Sequence, residues 1–246
     1  MFDLTIEGDI ARLRLRRPEA RNTITLAGWG ELAACVERAE QEARLLILSG
    51  EGAAFCAGAD VSSFDAFRED ETARAEFRLA IRIALDRLRD APIATIALVQ
   101  GPCYGAGVAL AMACDIRFAG AGAKFAITPA KLGIAYPQED VHRLVALVGP
   151  GQAARLLLGA QSIDGAEAER IGLVESYRAI GVEAEVESFA AAILGNDPAS
   201  LRILKRSVGL AAEGVLHGER QDRDFDSLLG SEALAARLAT YRSRPR

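Results

Sequence analysis

The chain has 246 residues, of which half are hydrophobic and about a quarter are charged. This length and composition are those of an ordinary globular protein with one large domain, or with one domain and an appendage. The formal net charge of −5 argues against a general nucleic-acid-binding surface, and no apolar run approaches the ~20 residues of a membrane span. The acidic first residues show no signal-peptide pattern, so we expect a cytoplasmic protein that does not bind membranes.

The first part of the chain predicts a hairpin, a helix and a buried strand. Apolar and polar residues alternate on both sides of Gly8-Asp9, which is typical of a hairpin. Thr25 is a suitable N-cap for an amphipathic helix that runs to about Ala43. The apolar run over residues 45–49 then predicts a strand, and it leads into the small residues of Cys56-Ala-Gly-Ala-Asp60.

A second junction of a strand with small residues follows the apolar run over residues 93–99. Here Gly105-Ala-Gly107 precedes a helix-period apolar run that ends near Cys114. Backbone N–H groups at such a helix start bind negative charge, either a phosphate or the oxygen of a reacting carbonyl. The phosphate interpretation is weak, because Val108 and Leu110 stand where the usual phosphate-binding motifs require other residues. Close packing of helix on strand is the simple structural alternative.

The remaining pattern predicts one more strand region and then mainly helices. Residues 65–90 predict a long helix, and an irregular loop with prolines at Pro129 and Pro137 precedes a helical final third. Strands that alternate with helices in the first two thirds predict an α/β fold. We assign residues 1–195 to the core domain and residues 196–246 to a helical C-terminal module.

The cysteine pattern does not indicate a metal site or a disulfide. None of the four cysteines is in CxxC spacing, and each lies in an apolar or glycine-rich setting; they are Cys35, Cys56, Cys103 and Cys114. Four buried, reduced thiols are the expected arrangement.

Several stretches, in this order, resemble the crotonase (enoyl-CoA hydratase/isomerase) superfamily over nearly the whole chain. They are residues 17–22, 56–60, 101–115, 124–133 and 166–174. The resemblance implies a spiral of repeated ββα units, with C-terminal helices that build homotrimers or hexamers. It also implies an acyl-CoA substrate and no separate cofactor.

The same resemblance assigns residues to the binding of that substrate. The backbone amides of Ala59 and Ala106 would form an oxyanion hole for the thioester oxygen. The pantetheine arm would pass near residues 57–61. The substrate-binding residues along this segment are Ala57, Asp60, Val61 and Ser62. Arg21 matches the CoA-binding loop and would pair with a phosphate, although a solvated arginine is an equal alternative. Asp60 is also a suitable helix cap.

The chain departs from the hydratases of this superfamily at both of their glutamates. The aligned positions hold Ala109 and Pro129, and the dehalogenase nucleophile position holds Pro137. The loop that ends at Tyr136 resembles that of methylmalonyl-CoA decarboxylase-type members, in which a tyrosine could orient a carboxylate. We therefore predict a decarboxylase-like or isomerase-like lyase/isomerase. Two alternatives are a hydratase that uses Glu139 or Asp140 as its acid–base group, and a non-catalytic acyl-CoA-binding protein.

Overall fold

A computed structural model describes residues 1–242, apart from the side chains of Ser63 and Ala66. In chain order the strands are β1 (Phe2–Glu7), β2 (Ile10–Leu15), β3 (Leu45–Gly50), β4 (Ala94–Val99), β5 (Pro102–Tyr104), β6 (Ile116–Gly120), β7 (Lys124–Ala126), β8 (Ile163–Asp164) and β9 (Ser176–Arg178). The helices are α1 (Leu26–Glu42), α2 (Glu71–Asp90), α3 (Ala106–Ala113), α4 (Gln138–Gly159), α5 (Gly165–Arg170), α6 (Val182–Leu194), α7 (Pro198–Ala212), α8 (Glu219–Leu229) and α9 (Glu232–Arg242). Three 3-10 segments span Pro18–Ala20, Val61–Arg68 and Pro129–Leu132.

The strands form two sheets, and successive segments of the chain alternate between them. The six-stranded sheet has the order β1-β2-β3-β4-β6-β9 and is parallel except for the β1–β2 hairpin, and the smaller sheet has the order β5-β7-β8. After β4 the chain enters β5 and then α3, and after β6 it enters β7 and later α4. The segment after β3 follows the same course, because Cys56 pairs with the edge of the smaller sheet through an isolated parallel bridge to Cys103 of β5. This repetition is the ββα spiral that the family resemblance implied.

The central strands are buried on both faces, which explains their uninterrupted apolar sequence. In β3, Leu46 and Leu48 belong to the larger core cluster, while Leu45 and Ile47 belong to a second cluster that includes Val186 of α6. Because side chains alternate along a strand, each apolar run serves two cores. The larger core places α1, α2 and α3 on one face of the six-stranded sheet.

The structure corrects three expectations about local structure. The long helix expected over residues 65–90 begins only at Glu71, because the Asp70 side chain accepts from Ala73 N and caps α2 there. The final third contains β8 and β9 as well as helices, and these strands have two and three residues, too few for a periodic signal. Cys35 is half-buried, whereas the other three cysteines are buried.

The expected C-terminal module comprises α7–α9, and its last residues, 243–246, lie outside the described residues. Lys205 ties α7 to the core, since its ammonium binds Ile93 O at 2.8 Å and the Asp115 carboxylate at 2.9 Å. No residue of these three helices is buried. The division at residue 195 falls between α6 and α7 and remains a prediction. Within residues 1–242, no helix is both long and apolar enough to cross a membrane.

Candidate active site

The two glycine-rich junctions lie side by side because their backbones pair as neighbouring strands. Cys56 N donates to Pro102 O at 3.1 Å, and Tyr104 N donates to Cys56 O at 2.9 Å. This pairing sets Cys56 against Cys103. Ala59 follows Cys56 by the same number of residues that separates Ala106 from Cys103. The two predicted oxyanion residues are therefore brought to corresponding positions on adjacent segments.

The amide of Ala59 is free because a bridge uses the groups on either side of it. Ile24 N donates to Gly58 O, and Asp60 N donates to Ile24 O, both at 2.9 Å. In a parallel bridge of this pattern the central residue's own N–H points away from the partner. Among residues 1–242 we find no acceptor for Ala59 N–H.

The amide of Ala106 is free because it begins α3. The first N–H groups of an α-helix have no partner within the helix, and Ala106 N–H has no acceptor in the described part of the chain. Both Ala59 and Ala106 are half-buried. Two unpaired backbone donors beside a helix N-terminus form an arrangement that can hold a negatively charged oxygen.

Two glycines make this close approach possible. A Cβ on Gly58 would lie 2.9 Å from Tyr104 O and 3.4 Å from Ala106 N, so only hydrogen fits between the two segments. Gly58 has a φ of 107° and Gly105 a φ of 52°, both in the region that favours glycine. Gly105 also donates from its amide to Ala126 O at 2.9 Å, which fixes the peptide that leads into Ala106.

Arg17 and Asn22 hold the first junction in place, although their residue types alone predicted no role for them. The Arg17 guanidinium forms an ion pair with Asp60, whose carboxylate also accepts from Ser62 N at 3.0 Å. Hydrogen bonds from Ser62 and Arg17 lower the pKa of Asp60 to about 2. The fully buried Asn22 side chain accepts from Arg17 N and donates to Glu51 O and Ala54 O. Both residues belong to the stretch that carried the family resemblance.

The other predicted substrate-binding residues lie along the same segment. Arg21 is exposed, and its carbonyl accepts from Ala57 N at 2.9 Å, so these two residues are in direct contact. Val61 and Ser62 are exposed at the start of the 3-10 segment that Asp60 caps. The helix-cap interpretation of Asp60 is therefore confirmed, while the binding roles of these residues remain predictions.

Tyr136 lies against the second junction. Its hydroxyl donates to Gly105 O at 3.1 Å, and its ring packs against the larger core. Burial raises the pKa of Tyr136 well above its usual range, and the nearby Asp140 carboxylate contributes to the rise. The hydroxyl is therefore protonated near neutral pH and able to donate. Its predicted role toward a substrate carboxylate remains untested.

The neighbouring acids differ sharply in their surroundings. Glu139 is exposed, whereas Asp140 is only 1% exposed and lies in the first turn of α4. Asp140 Oδ1 binds Arg82 and Arg143, and both arginines also bind Asp86 of α2. Burial raises the pKa of Asp140 in spite of the two arginines. This ion quartet of Arg82, Asp86, Asp140 and Arg143 is partly buried and joins α2 to α4 close to Tyr136, and nothing in the sequence pattern indicated it.

The remaining reactive side chains contribute little to the site. Ala109 is buried in α3 and Pro129 begins a 3-10 segment, so neither position offers a titratable group. Burial raises the pKa of Cys56 and of Cys114 to about 12, which makes both thiols inert. His142 and His217 are exposed. Across residues 1–242 we find no group of three or more metal-binding side chains.

Comparison with known proteins identifies relatives that match over the full length. A family model described as enoyl-CoA hydratase/isomerase matches residues 5–229. A "Probable enoyl-CoA hydratase echA6" of Mycobacterium tuberculosis is 32% identical over 251 residues, covering 100% of this chain and 98% of the relative.

Solved structures agree with that match. An "enoyl-CoA hydratase/ carnithine racemase" from Magnetospirillum magneticum is 30% identical with a TM-score of 0.93, covering 98% of this chain and 92% of that one. AtuE of Pseudomonas aeruginosa is 30% identical with a TM-score of 0.90, covering 99% of this chain and 97% of that one.

Proposed function

The chain belongs to the enoyl-CoA hydratase/isomerase family, and from that premise we propose that it converts an acyl-CoA thioester through a bound enolate. In this proposal the Ala59 and Ala106 amides bind the thioester oxygen. The observation that carries it is the pair of unpaired amides on adjacent, mutually bonded segments. Charge that develops on the oxygen would meet two fixed donors, each worth roughly 3 kcal/mol.

The chemistry that follows is better suited to loss of carbon dioxide than to hydration. A double-bond shift moves a proton from C2 to C4 of the acyl chain, so it would need a proton carrier just as hydration does. Hydration needs a held water and a group that transfers its proton. Ala109 and Pro129 cannot do this, and the exposed Glu139 is not directed at the junctions by any contact. Decarboxylation removes no proton from the substrate. The bond to the carboxylate carbon breaks, its electron pair passes into the enolate that the two amides stabilise, and the α-carbon then takes a proton from solvent. This favours a lyase/isomerase that uses no cofactor beyond the CoA of its substrate.

Asp140 supports the second candidate, a hydratase with an unusual acid. It is buried, its pKa is raised, and it follows Tyr136 closely in the chain. Against this role, two arginines occupy its Oδ1 atom. A non-catalytic acyl-CoA-binding protein is the third candidate, and it would keep the two amides without any proton-transfer group.

A panel of thioesters separates these candidates. We expect the protein to process a malonyl-type CoA or a 3-enoyl-CoA, and to hydrate crotonyl-CoA at least ~10²-fold more slowly than a hydratase with both glutamates. Efficient hydration that Asp140→Asn abolishes would support the second candidate. Tight binding of every thioester without turnover would support the third.

A further inference from the structure

The hydroxyl of Tyr136 contacts the carbonyl end of the peptide group whose other end is the Ala106 amide. The hydrogen bond runs to Gly105 O at 3.1 Å, and Gly105 C=O and Ala106 N–H share one peptide bond. A peptide group is planar and trans, so its C=O and N–H point in opposite directions. Tyr136 therefore holds the far side of the group that offers its N–H to the ligand.

We propose that Tyr136 is a positioning residue that acts through the Gly105–Ala106 peptide to strengthen and orient the Ala106 N–H donor. This inference rests on the proposed oxyanion role of Ala106. A hydrogen bond accepted by the carbonyl draws electron density toward the oxygen and makes the N–H of the same peptide a stronger donor. Such cooperative strengthening amounts to about 10–30% per bond.

The Gly105 carbonyl accepts hydrogen bonds from α3 and from one side chain outside that helix. Val108 N and Ala109 N donate to the same oxygen at 3.0 and 3.4 Å, as first-turn amides of α3 do. Among the described side chains, Tyr136 alone donates to it. Gly105 has a positive φ and no Cβ, so no side chain at this position restricts the rotation of the Gly105–Ala106 peptide. The hydrogen bond from Tyr136, which lies outside α3, limits that rotation.

Tyr136 is itself fixed from the other side. Its ring packs against the larger core, and Pro137, which follows it, precedes the first turn of α4. That turn is attached to α2 through the partly buried ion quartet of Arg82, Asp86, Asp140 and Arg143. A tyrosine anchored in this way can hold a peptide group to a narrow range of orientations.

The test measures the polarity of the oxyanion hole directly. Acetyl-CoA labelled with ¹³C at its carbonyl has no carboxylate that Tyr136 could contact, and the downshift of its C=O infrared band on binding reports the strength of the two donors. Tyr136→Phe should weaken the Ala106 donor by roughly 10–30% and leave the Ala59 donor unchanged, so we expect the total downshift to fall by about half of that, roughly 5–15%. The kcat for the best thioester substrate should fall, while the Kd for acetyl-CoA changes less than about threefold. Tyr177→Phe is the matched control, because Tyr177 is also half-buried against the core, and it should leave the band unchanged.

A second variant should change the infrared downshift in the opposite direction. Replacing Tyr136 by 3-fluorotyrosine makes the hydroxyl a stronger donor and should increase the downshift, which keeps the test decisive if the phenylalanine variant does not fold. An unchanged band in both variants, with loss of turnover only for carboxylated substrates, would overturn the proposal and place the hydroxyl on the substrate. Wild-type protein that binds acetyl-CoA without any downshift would contradict the oxyanion role itself.

Discussion

Adding one methyl group to Gly107 should separate the two junctions and disable the site. Gly107 is buried in α3, and a Cβ there would lie 2.2 Å from Cys56 O and 3.0 Å from Cys56 Cβ. Ordinary contacts begin at 3.4 Å, so the segments carrying Ala59 and Ala106 must move apart by roughly 1 Å. A displacement of that size at a reacting centre can cost about 10²-fold in rate, and overpacking of this kind costs ~1–3 kcal/mol of stability.

The assay compares Gly107→Ala with Gly30→Ala. Gly30 is exposed within α1, and a Cβ there has nothing within 4 Å, so its replacement should stabilise the fold by ~0.5–1 kcal/mol and preserve activity. Turnover of the best thioester and the free energy of unfolding in urea are measured for both variants. A Gly107→Ala protein with wild-type turnover and stability would refute the proposed convergence of the two segments.

Two further predictions concern Asp60 and the C-terminal helices. Hydrogen bonds from Ser62 and then from Arg17 lower the pKa of Asp60 to about 2, so its ionised carboxylate stabilises the folded state above the ordinary aspartate pKa of ~3.9. Asp60→Asn should therefore cost ~1 kcal/mol between pH 5 and 8, discounted for partial solvent exposure, and the difference from wild type should shrink as the pH falls from 4 toward 2. A difference that grows on acidification would contradict this. Helices α7–α9 expose large apolar side chains, among them Leu204, Val208, Phe225 and Leu229. We therefore expect a homotrimer or hexamer by light scattering at micromolar concentration, and a monomeric mass would disprove it.

The sequence predicted most of the larger elements because their signals are local. Thr25 caps α1 as expected, accepting from Gly28 N, and the apolar runs before both junctions are the strands β3 and β4. Periodicity could not show that β5 belongs to a second sheet or that Cys56 pairs with it, because β5 has three residues and the bridge at Cys56 involves one residue on each side. That part of the fold came from the family resemblance.

The site was predictable to a similar extent. The small residues around Ala59 and Ala106 marked both junctions, but the bond from Tyr136 to Gly105 O joins residues 31 positions apart. The ion quartet joins α2 to α4 over more than 50 positions. Such contacts depend on how helices pack, and a single sequence carries no local sign of them. Asn22 is different, because its residue type gives a local indication of its backbone conformation. Asparagine tolerates the positive φ of 57° that this loop requires better than most residues do.

The most direct test of the account is a crystal structure with a non-reactive acyl-CoA analogue bound. The account predicts that the analogue's carbonyl oxygen lies 2.7–3.2 Å from both Ala59 N and Ala106 N, which is ordinary hydrogen-bond distance. A carbonyl oxygen that faces solvent, or that contacts neither amide, would contradict it.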